Sequence, residues 1–368
     1  MQIALTRKLA EAMGVKPSTV HRVIDPLFTW TANWTRVWDN RRAEDMLVLI
    51  NNATRFTVAI YQVKRKDMKN VGAEMMVAAI RNTLLAMNLN PEIVDEYLRL
   101  SGDVEFVVNR DRQFTAWVNK AGIECAFYVG RKYDGVDKMF SDTVGVPANH
   151  IAVGYSNNKG GGFIPYKKMF TSLAELTGKP VYKYRAFELL VTLDLQIYQA
   201  TRRIIVPADI EFSQLHEVLQ RVFNWYGHHL HEWNVIDEKN FGDIARLVMD
   251  DEDLLYDDEA MLEAGHKLSE FLPRYKHIIY FYDFGDNWEH KIELVRVIDD
   301  YSEESPYLLE AVGQAPPEDV GGVGGYIEFR KIMQNPQHED YEEMKQWAGY
   351  WNLELSDWES RPRIIYIW

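Results

Sequence analysis

The sign of the charge changes along this chain, and that change restricts its fold more than any other feature. Residues 1–180 hold 24 Lys+Arg against 18 Asp+Glu, whereas residues 181–368 hold 17 against 37. Within a net charge of −14, one half is thus +6 and the other −20. So sharp a break marks two separately composed halves, and 368 residues suffice for two domains with a core each. A −20 half repels phosphate backbones, so DNA contact is expected only through the first half. With 47% hydrophobic residues, 11 Trp, 20 Tyr and 16 Phe, a disordered polymer is excluded. The one cysteine, Cys125, rules out an internal disulfide and any zinc site built on several thiolates. No signal-type apolar segment follows Arg7 and Lys8, and no apolar run nears the ~18 residues of a membrane span. The expectation is a soluble, cytoplasmic protein with no membrane partner.

The first half mixes element types. Residues 45–62 read as two β-rich runs around an Asn51-Asn52-Ala53-Thr54 turn, residues 70–88 as an amphipathic helix, 91–100 as a helix opened by Pro91, and 104–108 as a strand. Periodicity fades from 133 to 166, and Gly154 to Phe163 has turn and linker chemistry. The second half reads as strands at 187–195, 202–206 and 229–236, a helix at 212–223, a hairpin at 277–297, then two short helices and a last strand. The acidic run 249–259 reads as solvated surface. Together these predict an α+β protein: an N-terminal domain over 1–150, a Gly-rich linker over 151–182, and a domain over 183–368 with a mostly antiparallel sheet and helices packed on it.

Residues Thr6 to Ile24 (TRKLAEAMGVKPSTVHRVI) resemble the helix-turn-helix of bacterial repressors. Gly14 would supply the turn, and Ser18, Thr19, His21 and Arg22 would face the DNA groove. The bland alternative is a helix pair built into a larger domain. Over residues 1–130 the chain is also similar to an uncharacterised bacterial domain family that starts with a similar "TRKL" helix, through Trp30, Asn33, Arg41-Arg42, Asn52-Ala53-Thr54, Asn109, Asp111-Arg112 and Asn119. That family implies no activity.

From Phe187 onward several ordered motifs stand out: Thr201 to Pro207 (TRRIIVP), Leu215-His216, Phe223-Asn224-Trp225, His229-Leu230-His231, Tyr282 to His290 (YDFGDNWEH) and Pro316 to Gly322 (PPEDVGG). In these the second half resembles the plasmid pRiA ORF-3-like domain family, which implies a compact α+β domain without an agreed biochemical role. The resolvase label used for that family finds no nucleophilic serine motif here. Some members carry cysteines around the Pro-Pro-Glu-Asp segment; here Ala315 and Val320 stand there, which excludes a thiolate metal site.

Strand periodicity places His229, His231, Trp233 and Val235 on one face, and Trp288, His290, Ile292 and Leu294 on another common face. Asp283, Asp286, Glu318 and Asp319 fall at turns where carboxylates reach such histidines. Three explanations fit. His231 and His290 are hydrogen-bonded core residues above a hairpin turn; or His229, His231, Trp233, Asp283, Asp286, Trp288, His290, Glu318 and Asp319 line a pocket for a small molecule or peptide; or His231, His290, Asp283 and Asp286 hold a divalent metal competent for hydrolysis.

The loop Pro316 to Tyr326 lacks the Lys-Ser/Thr of a P-loop and the spacing of GxGxxG, so it reads as a turn and helix start. Gly160-Gly161-Gly162 reads as linker. No cofactor is evident beyond that metal. The expected function is a binding or regulatory protein of plasmids or other mobile elements, with an unknown protein or small-molecule ligand. Its rivals are a DNA-binding regulator acting through the first half and a metal-dependent hydrolase or nuclease.

Overall fold

The computed structural model describes all residues except 40–41, 62, 133–141, 155–160, 238–241, 251–253, 255–258 and 368. It divides into two compact units, Met1–Lys183 and Tyr184–Ile367. Both are α+β. Most of the acidic run 249–259 and part of the Gly154–Phe163 stretch, Gly160 included, lie outside the described residues.

The first unit is built on β1 (Gln2–Leu5), β2 (Thr29–Asp39), β3 (Arg42–Asn51), β4 (Thr57–Ile60) and β5 (Glu105–Val108), in the order β4-β3-β2-β1-β5. β1 runs parallel to β2 and β5, and β2, β3 and β4 are antiparallel. The Asn51 turn forms because Asn51 Oδ1 accepts from the Ala53 and Thr54 N–H groups while its Nδ2 donates to the Leu27 carbonyl. One sheet face packs Ile3, Leu5, Trp30 and Trp34 into an apolar core with α1 (Arg7–Met13), α2 (Ala73–Ala86), α3 (Pro91–Ser101) and α6 (Pro165–Thr177). The other face, at Met46, Val48, Ile50 and Ala59, is covered by α4 (Arg112–Lys132) and α5 (Asp142–His150).

Two expectations are corrected here. The helix-turn-helix has only its first helix: Thr6 caps α1 and Gly14 ends it in the left-handed region at φ 70°. Beyond Gly14 the backbone joins the open edge of β5, with Ser18 N–H donating to the Phe106 carbonyl and Val108 N–H to the Ser18 carbonyl. An unpaired strand edge takes these groups, so Ser18, Thr19, His21 and Arg22 lie on no recognition helix. The expected linker over 151–182 contains α6, whose Tyr166, Met169, Phe170 and Leu173 are buried in the first core.

The second unit contains one nine-stranded sheet: β6 (Tyr184–Asp194), β7 (Gln199–Pro207), β8 (His231–Asp237), β9 (Gly242–Val248), β10 (Met261–Leu262), β11 (His277–Tyr282), β12 (Trp288–Tyr301), β13 (Tyr307–Val312) and β14 (Arg363–Ile364). Their order is β10-β9-β8-β11-β12-β6-β7-β13-β14, and only β9–β10 pair in parallel. α7 (Phe212–Phe223) covers one face with eight buried side chains, from Phe212 to Phe223. α8 (Gly322–Gln334), α9 (Tyr341–Ala348) and α10 (Asp357–Ser360) complete the unit. Arg202, 1% exposed, joins its parts: Nε donates to the Val222 carbonyl in the last turn of α7, and Nη1 donates to the carbonyls of Val312 and Gly313.

Candidate functional site

Register decides which of the predicted side chains meet. Tyr282 pairs with His231 and with Trp288, and Tyr280 pairs with Trp233 and with His290. All six therefore share the face beneath α7. His231 and His290 lie two strands apart, about 9–10 Å of backbone spacing, and the Tyr280 ring sits between them at 5.7 and 5.3 Å centroid distance.

Each of these histidines is committed to the core. His231 Nε2 meets Glu263 Oε2 at 2.9 Å, the same oxygen that accepts the Trp233 indole N–H at 2.7 Å. The His231 ring stacks on His216 at 3.8 Å, and His216 Nδ1 lies 2.7 Å from the Tyr280 hydroxyl, which also accepts from Gln220. His290 is fully buried among Phe223, Trp225 and Tyr280, and burial pushes its pKa down to about 3, so it stays neutral. Burial likewise raises the Tyr280 hydroxyl well above its ordinary value. The quartet His231, His290, Asp283 and Asp286 does not converge, because the two carboxylates belong to the turn beyond the strand ends.

A different trio does converge at that end. His229, just before β8, places Nδ1 3.6 Å from Asp283 Oδ2 and Nε2 3.2 Å from Asp319 Oδ1. One ligand atom from each of His229, Asp283 and Asp319 lies within 4.8 Å of the other two. Asp283 is 8% exposed, and Asp319 faces solvent. Two turns build this place. Asp283 adopts φ 58° while its Oδ1 accepts from the Gly285 and Asp286 N–H groups, and Asp319 adopts φ 62°.

The two turns are locked together. Asp286 Oδ2 accepts from Gly321 N–H, and a Cβ on Gly322 would stand 2.7 Å from the Asp286 carbonyl oxygen, so only glycine allows this approach. Glu318 accepts from the Tyr282 hydroxyl at 2.5 Å and from the Tyr226 N–H at 2.9 Å. Burial first, then this carboxylate, raises the Tyr282 pKa. Trp225 N–H donates to the Pro316 carbonyl. Trp233 and Trp288 are buried in the core.

Sequence reading missed Glu263, His216 and Gln220 as partners of the aromatic face. Glu263 carries no local signal, since it reaches His231 only through β10. The helical position of His216, one turn before Gln220, did place both on one face of α7.

In the first unit, Arg22 donates to Glu105 Oε2 at 2.8 Å, and Ser18 is tied to β5. His21 and Arg22 line a cavity of about 700 Å³ that also includes Asn52, Arg110, Arg112 and Phe114.

Comparison with known proteins follows this division. The plasmid pRiA4b ORF-3-like protein family matches residues 185–360, and a domain of unknown function, DUF6933, matches residues 2–168. The uncharacterized protein y4hQ of Sinorhizobium fredii is 39% identical over 170 residues, 44% of this chain and 79% of that protein. A crystal structure of a protein of unknown function from Methanosarcina mazei Go1 is 30% identical, covers 48% of this chain and 97% of its own, and superposes with a TM-score of 0.42. Among the described residues no helix is long and apolar enough to cross a membrane.

Proposed function

The chain belongs to the plasmid pRiA4b ORF-3-like protein family through its second unit, and on that premise we propose a binding protein of plasmids or other mobile elements whose second unit holds a divalent cation at His229, Asp283 and Asp319. One observation carries this reading: the mutual approach of an imidazole nitrogen and two carboxylate oxygens within 4.8 Å. A nitrogen and two oxygens suit the borderline cation Zn²⁺ or the harder Mn²⁺, bonded at roughly 2.0–2.2 Å. The locked turns preorganise the trio, since Asp283 is held by two backbone N–H groups on its other oxygen.

Three protein ligands leave coordination positions open to a partner's donor groups. The neighbouring carboxylate, Glu318, is occupied by Tyr282 and Tyr226 and is not poised as a general base. Binding rather than turnover is therefore the reading that the geometry supports best.

The test is titration of the full chain with Zn²⁺ and with Mn²⁺, alongside metal analysis of purified protein. Asp283→Asn keeps the acceptor for the turn and tolerates the positive φ, yet removes the charge. The expected result is a saturable site whose affinity falls at least about tenfold in that variant, a difference of ~1.4 kcal/mol. Equal binding by both proteins, or none at millimolar metal, would sink the proposal.

A further inference from the structure

Among the described residues of the first unit, the helices on one sheet face, α4 and α5, pack chiefly on β2, β3 and β4 rather than on β1 and β5. Register puts Gln2, Thr29 and Glu105 side by side, and likewise Ala4 and Val107, on the face that α4 and α5 cover farther along, at β2, β3 and β4. A cavity of about 700 Å³ stands beside Gln2, Ala4, Thr29 and Val107. That volume suits a ligand of mononucleotide size.

The walls differ in character from the floor. Along one side the segment after Ser18 runs beside β5 and brings His21 and Arg22 to the cavity, with Arg22 steadied by Glu105. Along the other, Arg110 just before α4 and Arg112 and Phe114 in its first turn border the cavity. Arg110 and Arg112 are exposed and form no ion pair among the described residues. Arg22 is paired with Glu105, so among the described residues Arg110 and Arg112 are the lining arginines without an ion pair, and the one lining carboxylate, Asp111, accepts from Gln113 N–H at 2.7 Å at the start of α4. The 21-residue α4 adds the positive end of its dipole at the same place. Asn52 and Asn109 also line the cavity, their amides engaged with Thr29, Thr31, Thr115 and the Asp111 N–H, and Phe114 supplies an aromatic surface.

We propose that this cavity binds a phosphate-bearing small molecule of mononucleotide size, with its phosphate at Arg110, Arg112 and the start of α4 and its uncharged part over the Ala4 and Thr29 floor. Charge selects the phosphate, and the enclosed floor selects a molecule larger than the bare anion. Arg110 and Arg112 have no structural partner to lose, so their replacement leaves the fold intact.

Calorimetric titration of the full chain with AMP, UMP, inorganic phosphate and a short oligothymidine tests this. At least one mononucleotide should bind about tenfold or more tightly than inorganic phosphate, and R110Q/R112Q should weaken it at least about tenfold with the thermal midpoint unchanged. The proposal is overturned if neither mononucleotide binds at millimolar concentration, or if phosphate binds as well as the mononucleotides. Binding of the oligothymidine alone, or mononucleotide affinity untouched in R110Q/R112Q, overturns it equally.

Discussion

The two units cover their sheets differently. In the first, α4 and α5 cover one face over β2, β3 and β4, and a cavity stands at β1, β5 and the start of β2, lined by Gln2, Ala4, Thr29 and Val107. In the second, the face beneath α7 is filled by Trp233, Tyr280, Tyr282, Trp288 and two histidines, all buried. Past the strand ends of this filled face, the Asp283 and Asp319 turns meet at His229. In the first unit the cavity instead lies beside the strands themselves. The location of each candidate site thus follows from side-chain volume on the sheet, and the charged groups then set what it attracts.

The largest test of this contrast is Arg202→Ala. Arg202 ties the end of α7 to β13 from inside the filled face, and its loss strands the Val222, Val312 and Gly313 carbonyls. A loss of roughly 3–5 kcal/mol in urea unfolding is expected. Hydrogen exchange should show loosened peptides from 184 to 367 and unchanged ones before 183; equal loosening on both sides would break the comparison.

Acid should come next. Burial lowers the pKa from 6.5 to about 3 for His290 and to about 4 for His150 in the first unit. A depressed histidine contributes stability that is complete above pH 6.5, because only the unfolded chain takes the proton as pH falls below that value. Between pH 6.5 and 4 each should therefore cost about 1.4 kcal/mol per pH unit, roughly 3 kcal/mol in all. His290→Leu should flatten that slope for the second unit, and a slope that persists would show that His290 is not its source.

Filling experiments sharpen the contrast at smaller scale. Val235→Phe adds volume to a face with none spare, and about 1–3 kcal/mol of destabilisation is expected from thermal unfolding. Ala4→Leu, which points into the first-unit cavity, should change stability by less than about 1 kcal/mol. A cost for Ala4→Leu as large as for Val235→Phe would mean that the first sheet has no usable space.

Much of the second unit was legible locally. Alternation along residues 229–236 and 277–297 located the strands and their common inward face, because strand periodicity needs no knowledge of neighbours. Helices α4, α5 and α6 went unread: Gly122 lies inside α4 and Pro147 inside α5, and both weaken the local helical signal. The repressor-like pattern after Gly14 misled because local propensity lost to a sheet edge 90 residues away in sequence.

Taken by itself, the sequence determined the two-part organisation, the α+β class, the family resemblance and the roster of aromatic, histidine and turn carboxylate residues. These depend on composition, periodicity and short motifs, which are local. Only tertiary structure decided that His229 rather than His231 or His290 meets Asp283 and Asp319, that Glu263 anchors His231, and that Arg110 and Arg112 border a cavity. Those outcomes rest on strand register and on which face a helix covers, and a one-residue change of register reverses every side chain on a strand.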